Sequence, residues 1–188
     1  MRSIIIRPAA EPDIPAIARV HVESWRTTYK GILSDTFLAG LSQQKHEERH
    51  RRNMSRSGTV YMVAEARETG IVGFAIGGPE RSNDQKFLGE LYAIYITQAY
   101  QRSGIGAAMA EKWAASLMSS GISSALVCVL AKNTAAIKFY ERLGAKFLRA
   151  QLIDIGGESL IESVYGVGGF KLSFTEIRIT ARPCGAVA

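Results

Sequence analysis

The sequence predicts an α/β protein: a mixed, mostly antiparallel sheet with helices on both faces. Three observations lead there. Short β-rich runs alternate with amphipathic helical stretches along most of the chain. Two apolar runs, 87–96 and 125–130, are separated by a single helix, which makes them parallel neighbours. Other runs follow one another across turns of a few residues, which makes them hairpins. The chain has 188 residues, of which 47% are hydrophobic and 21% charged, enough for one domain with a sizeable core.

The elements can be justified in order. Residues 4–7 are β-branched and short, a strand that Pro8 ends. Asp13 is suited to cap a helix, with Pro15 tolerated in its first turn. Ile14, Ile17, Ala18, His21, Val22 and Trp25 recur at helical spacing to about Thr28, and Gly31 breaks the pattern. Ser34 or Asp35 can cap a second helix carrying Phe37, Leu38 and Leu41, and a polar, basic helix follows over 43–54. Runs 60–66 and 71–77 form a hairpin around Glu68, Thr69 and Gly70. After a polar loop, 79–86, come the strand 87–96, a Gly-rich turn and a helix over 105–118 that stops at Gly121. Residues 125–130 read as a buried strand, and Asn133 caps a helix over 134–143 that Gly144 ends. Residues 146–155 and 158–165 close the order as a hairpin around Gly156 and Gly157. The expected organisation is a domain over 1–166 and a loose C-terminal extension, 167–188, in which 170–179 could add a strand.

The net charge, 23 − 17 = +6, favours anionic partners. The densest basic patch, Arg49, Arg51, Arg52 and Arg56, reads as a solvated helix face. A nucleic-acid footprint would need a longer stripe with interleaved aromatics, so no nucleic-acid partner is expected. Cys128 sits in an apolar run and Cys184 near the end; the pair gives neither a disulfide framework nor zinc spacing, and no metal is expected. A reducing cytoplasm fits this usage. No apolar stretch reaches the length of a membrane span, and the apolar part of the first seven residues is too short for a signal peptide.

Chemistry concentrates in two units. The first is strand, Gly-rich turn and helix, from Glu90 to Gly106. A helix start offers free backbone N–H groups and the positive end of a dipole, where anions bind. Gly104 and Gly106 lack Cβ atoms, so a phosphate can approach, and Arg102 adds charge at the rim. Alone, such a turn is as consistent with tight packing. The second unit runs from Asn133 to Gly144. Asn133 and Tyr140 lie seven residues apart, about two helical turns, and so on nearly one face. Both helices then start at the carboxyl ends of neighbouring strands, where ligands sit in open sheets. Asn133 as a plain cap and Tyr140 as a core aromatic are the structural alternatives.

These residues resemble the GCN5-related N-acetyltransferase (GNAT) superfamily. Leu91-Tyr92-Ala93-Ile94-Tyr95-Ile96 followed by Tyr100-Gln101-Arg102-Ser103-Gly104-Ile105-Gly106 is similar to the family's acetyl-CoA motif, Q/R-x-x-G-x-G/A after a strand. Asn133, Ala136, Phe139, Tyr140, Glu141 and Gly144 are similar in spacing to its second cofactor motif. The resemblance, spanning about 4–166, implies the acyl-CoA N-acyltransferase fold, with strand 87–96 splayed from 125–130. It implies acetyl-CoA as cofactor. The backbone of Ile94, Tyr95 and Ile96 would meet the pantetheine arm. Gln101, Arg102, Ser103, Gly104, Ile105, Gly106 and Ala107 would hold the pyrophosphate, and Asn133, Ala136 and Tyr140 would reach the pantetheine and sulfur. It implies Tyr140 as the acid that protonates the leaving thiolate. Glu90 is the candidate base, directly or through water, and equally a partner for a basic side chain. Trp25, Tyr29 and Tyr92 are candidates for the acceptor pocket, Tyr29 more than Trp25, which also suits core packing. His21 and His46 stand isolated in the sequence and receive no role. The family pattern often ends Tyr-Gly-Trp, where this chain has Tyr165-Gly166-Val167, which leaves that edge of the pocket and any homodimer contact open. The expected reaction is direct acetyl transfer to a small amine such as an amino acid, a toxin analogue or a polyamine. The alternatives are a protein or peptide N-acetyltransferase and a non-catalytic acyl-CoA sensor.

Overall fold

The computed structural model describes residues 3–169. The strand expected at 170–179 and Cys184 lie outside the described residues. Seven strands form one sheet in the order β1-β2-β3-β4-β5-β7-β6. They are β1 (Ile4–Pro8), β2 (Val60–Ala66), β3 (Gly70–Pro79), β4 (Gly89–Ile96), β5 (Ser124–Leu130), β6 (Lys146–Ile155) and β7 (Glu158–Gly168). Every neighbouring pair is antiparallel except β4 and β5, which the helix between them makes parallel. The helices are α1 (Ile14–Thr28), α2 (Asp35–Ala39), α3 (Gln43–Met54), α4 (Ile105–Ser119) and α5 (Thr134–Arg142). None of them is long and apolar enough to cross a membrane.

Strand alternation divides the core into two faces. Met62, Ala64 and Ala66 of β2 pack with Ile105, Met109, Trp113 and Leu117 of α4. Tyr61 and Val63, the intervening residues, pack instead with Ile17 and Val20 of α1 around Phe74. A smaller cluster joins Tyr29, Leu33 and Leu38 to Leu130, with Ile153, Ile155 and Leu160 of the β6–β7 hairpin packed against it. That contact seats the hairpin beside the end of α1, helped by the Ser34 N–H, which donates to Glu158 at 3.1 Å.

Two local details differ from the sequence expectation. Asp13 does not cap α1: it accepts from the Ala10 N–H at 2.8 Å and holds Arg7 in a fork at 2.7 and 2.9 Å. Strand β7 runs on to Gly168 instead of ending at Tyr165, so the expected boundary at 166/167 falls inside a strand. Gly166 looks like a breaker in sequence, yet it pairs with Leu126 on one side and Lys146 on the other. The Phe87 ring occupies the space its Cβ would need.

The feature that shapes the site is in β4. It pairs with β3 along its whole length, with a register shift that leaves Tyr92 without a Cα partner: Gly77 faces Leu91, and Ile76 faces Ala93. Such a bulge bends the strand and resets its alternation. Leu91 and Ile94 therefore both join the α4-side cluster, while Tyr92 and Ala93 both pack on the α1 side. Pairing with β5 stops at the same place, after Gly89–Ala125, Glu90–Leu126 and Leu91–Val127. Gly77 permits the close approach: a Cβ there would strike the Glu90 carbonyl oxygen and lie 2.5 Å from the Trp113 ring. Gly77→Ala is expected to cost about 1–3 kcal/mol by overpacking. Urea unfolding checks this, and an unchanged midpoint would show that the bulge tolerates a side chain.

Candidate active site

Beyond Leu91 the two parallel strands diverge. β4 stays with β3 to Ile96, and β5 stays with β7 to Leu130. The edge of β4 at residues 92–96 thus faces a gap in the sheet. At the head of that gap the chain turns through residues 101–104 into α4. Gly104 is left-handed, with φ +86 and no atom within 4 Å of where a Cβ would be. Arg102 is left-handed as well, with φ 58. Gln101 Nε2 donates to the Ile96 carbonyl at 2.9 Å, and the Ser103 hydroxyl donates to the Tyr100 carbonyl at 2.6 Å. The first bond of α4 runs from the Ala108 N–H to the Gly104 carbonyl, at 3.1 Å. The N–H groups of Ile105, Gly106 and Ala107 consequently have no acceptor among the described residues. Donors converging at a positive helix end suit a phosphate.

Gly106 contributes differently from the sequence reading. It is buried, and a Cβ there would crowd Phe139 and Ile96 at 3.2 and 3.3 Å. Its missing side chain lets α4 pack on α5; Gly104 is the glycine with open space around it. From the far side of the gap, Asn133 caps α5 by accepting from the Ala136 N–H at 3.1 Å. Tyr140 is buried, and burial raises its phenol pKa, with Tyr29 and Cys128 close enough to add to the rise. The Tyr29 hydroxyl lies 3.0 Å from that of Tyr95, and burial raises both phenols. The phenols of Tyr29, Tyr95 and Tyr140 therefore stay protonated at neutral pH. Burial also pushes the Cys128 thiol up to about 12, which disfavours the thiolate.

On the α1 side of the gap lie two cavities. The larger, about 400 Å³, sits between α3 and β4 and is walled by Trp25, Tyr92, Tyr95, Arg49, Arg56 and Glu80, with His21 and His50 behind. The smaller, about 300 Å³, is lined by Glu90, Cys128, Glu162 and Arg149. Arg81 borders both. Its guanidinium holds both oxygens of buried Glu90, with Nε donating to Oε2 at 3.0 Å, and lies 3.9 Å over the Tyr92 ring. Tyr92 in turn donates to the Pro79 carbonyl at 2.6 Å. Of the two readings of Glu90, the basic partner is present in the structure; any proton transfer by this carboxylate must occur from within an ion pair.

The emphasis placed on two aromatic residues is reversed. Tyr29 is buried because the chain folds back over it: the N–H groups of Ile32 and Leu33 both donate to its carbonyl. Trp25, one helical turn earlier, lines the larger cavity.

The histidines are not isolated. His21 stacks edge-on to His46 with centroids 4.6 Å apart, and its Nδ1 lies 2.9 Å from Nε2 of His50. Hydrogen-bond partners define the tautomers. Arg49 Nη2 can only donate, so His21 Nε2 accepts it, at 3.3 Å. His21 Nδ1–H then donates to His50 Nε2, and His50 Nδ1–H donates to the Tyr61 hydroxyl at 3.1 Å. The Tyr61 hydroxyl finishes the chain by donating to the His50 carbonyl at 3.3 Å. His50, Asn53 and Arg81 escaped the sequence reading, and Arg49 and Arg56, read there as part of a solvated helix face, line the cavity. For α3 the signal was available: His46, Arg49, His50 and Asn53 recur at helical spacing, whereas Arg51 and Arg52 face solvent, Arg51 pairing with Glu11 at 3.7 Å.

Comparison with known proteins agrees with this geometry. The model of the acetyltransferase (GNAT) family matches residues 22–145. The uncharacterized N-acetyltransferase YuaI of Bacillus subtilis is 37% identical over 170 residues, covering 90% of this chain and 95% of its own. The protein named probable N-acetyltransferase Rv2775 of Mycobacterium tuberculosis is 28% identical over 142 residues, 74% of this chain and 78% of its own. Among solved structures, PaiA N-acetyltransferase from Thermoplasma acidophilum, in complex with coenzyme A, superposes with TM-score 0.65 at 24% identity, covering 86% of this chain and 98% of that one. YncA from Salmonella typhimurium, with its cofactor acetyl-CoA, gives 0.68 at 18% identity over 88% and 94%. The chain belongs to the GNAT acetyltransferase family. It is an N-acetyltransferase with the seven-stranded sheet of that fold.

The buried histidines have a consequence for stability. Burial is the first cause lowering the pKa of His21, His46 and His50, that of His50 to about 3. In the unfolded chain a histidine protonates near about 6.5. Below that pH the unfolded state binds more protons than the folded one, so stability falls as the solution is acidified, by at most about 1.4 kcal/mol per pH unit per histidine. Above it the contribution is fully present. Thermal melts from pH 8 to 5 should therefore show a falling midpoint, with a shallower slope in His50→Gln; a flat profile would contradict the assignment.

Proposed function

We propose that the protein transfers the acetyl group of acetyl-CoA directly to the primary amine of a small molecule. One observation carries this reading. The gap between β4 and β5 has free helix amides at its head and a polar cavity of small-molecule size on its α1 side. Bound acetyl-CoA supplies the acetyl group as an activated thioester. The residues fit it: Gln101, Arg102, Ser103, Gly104, Ile105, Gly106 and Ala107 would hold the pyrophosphate. The open edge of Ile94, Tyr95 and Ile96 and the α5 residues Asn133, Ala136 and Tyr140 would flank the pantetheine.

Tyr140 holds a proton that the leaving sulfur needs, and its burial keeps that proton in place until then. An attacking amine must first be neutral. Glu90, fixed by Arg81 beside the smaller cavity, takes the amine proton through water. Trp25 and Tyr92 wall the acceptor, and the Tyr29 hydroxyl fixes that of Tyr95. Direct transfer is the course proposed: burial disfavours the thiolate of Cys128, the cysteine beside the gap, as an acyl carrier. A cytoplasmic location belongs to the same reading. So does a homodimer, for which the exposed Phe147, Leu152 and Ile161 of the β6–β7 hairpin offer an apolar surface.

Tyr140→Phe should lower turnover by about 10²-fold or more while coenzyme A binding stays near wild type. Thiol release and calorimetric titration measure the two. Equal turnover would remove Tyr140 as the acid. Gly104→Asp should do the reverse, weakening coenzyme A binding by placing a like charge at the phosphate site.

A further inference from the structure

We propose that the cavity between α3 and β4 selects acceptors carrying an anionic group, a carboxylate or phosphonate. Arg49 and Arg56 would receive that group on the α3 wall while the amine faces β4. The inference rests on the reading of this site as an amine acetyltransferase and names the acceptor's second functional group.

The argument is one of unbalanced charge. Four charged side chains line the cavity walls: Arg49, Arg56, Arg81 and Glu80. Arg81 is neutralised by Glu90. The Glu80 carboxylate is occupied by its own loop, accepting from the Ser82 N–H and hydroxyl and from the Asp84 N–H. Among the described residues, Arg49 and Arg56 have no carboxylate partner. Arg49 is also held in place. One of its nitrogens donates to His21 Nε2, a lone pair aimed by the chain running back through His50 and Tyr61. That chain is neutral throughout, so it fixes the guanidinium without discharging it. The remaining donors of the fork are left for a ligand, and a guanidinium fork matches a carboxylate or phosphonate in shape. Crowding at Arg49 reinforces this, since loss of hydration lowers its pKa even though part of the side chain meets solvent. The opposite wall is aromatic, from Trp25, Tyr92 and Tyr95. A polyamine would bring further positive charge to walls that stay net positive with the Glu80 charge counted, and is disfavoured here.

The test uses paired acceptors: leucine with leucinamide, 2-aminoethylphosphonate with ethanolamine, and spermidine. Calorimetry with the coenzyme A-loaded protein reads binding, and thiol release reads transfer. The acids are expected to bind about 10-fold or more tighter than the partners that lack the acidic group, and spermidine weakly. The preference should collapse in Arg49→Gln and in Arg56→Gln, and persist in Arg52→Gln on the outer face of α3. If Arg49→Gln fails to fold, Arg56→Gln decides. If the partners without the acidic group or spermidine bind as well as the acids, or if the preference survives both variants, the inference is overturned even where transfer occurs. Acids that bind with the expected preference without any thiol release would uphold the anion site and overturn the transfer reading instead.

Discussion

A single backbone constraint organises this protein: β4 pairs from end to end along one edge and only in part along the other. Along β3 its ladder runs from Gly89 to Ile96, broken at the Tyr92 bulge, while along β5 it covers three residues. Backbone N–H and C=O groups left without a partner need another one. The bulge at Tyr92 is what separates the strands, and Gly77 is what lets β3 follow the bulge without a clash. On the α4 side, the gap meets the free amides that start α4 and the cap of α5. On the α1 side, it meets aromatic and charged side chains whose alternation the bulge has reset. The gap between the strands and the cavity beside α3 are thus two consequences of one irregularity in one strand.

The packing around that irregularity is specialised in a consistent way. Gly106 is small so that α4 can close on Phe139 of α5, and Gly166 is small so that Phe87 can lie across β7. The β6–β7 hairpin reaches over to Phe37 and Ser34 and so walls the gap near Tyr29. On α3, burial of His46 and His50 draws one side of a polar helix against the sheet. The cost of burying imidazoles is offset because each ring nitrogen in the His21–His50 pair has a partner with the correct donor or acceptor sense. Two of the chain's three histidines, His21 and His50, thereby orient Arg49.

Much of this was legible in the chain itself. Hydrophobic pattern located most of the helices and all seven described strands, because the period of an element depends on its own residues. Residues 101–106 and 133–144 were recognisable because the phosphate turn and the capped helix are local motifs, built from contiguous sequence. The Asn133 cap is of the same kind. The α3 residues were harder: a helix with little apolar content reads as solvated, and its cavity face is marked by His46, Arg49, His50 and Asn53 in place of aliphatic residues. Glu90 could be named as a carboxylate at the correct strand, but its pairing with Arg81 depends on a loop whose course no periodicity records.

The sequence by itself determined the elements, their order, the parallel pair, the Gly-rich turn and the family to which these belong. The physical reason is that turns, caps and amphipathic stripes are set by neighbours within a few residues. Only the tertiary structure decided where β4 and β5 part, which face Tyr92 takes after the bulge, and that β7 continues through Gly166. Only it joined Arg49, His21, His50 and Tyr61 into one directed chain, and separated buried Tyr29 from cavity-lining Trp25. These outcomes depend on register and on contacts between residues far apart in the chain. A one-residue shift in β4 reverses which side chains face the cavity while leaving every local pattern intact.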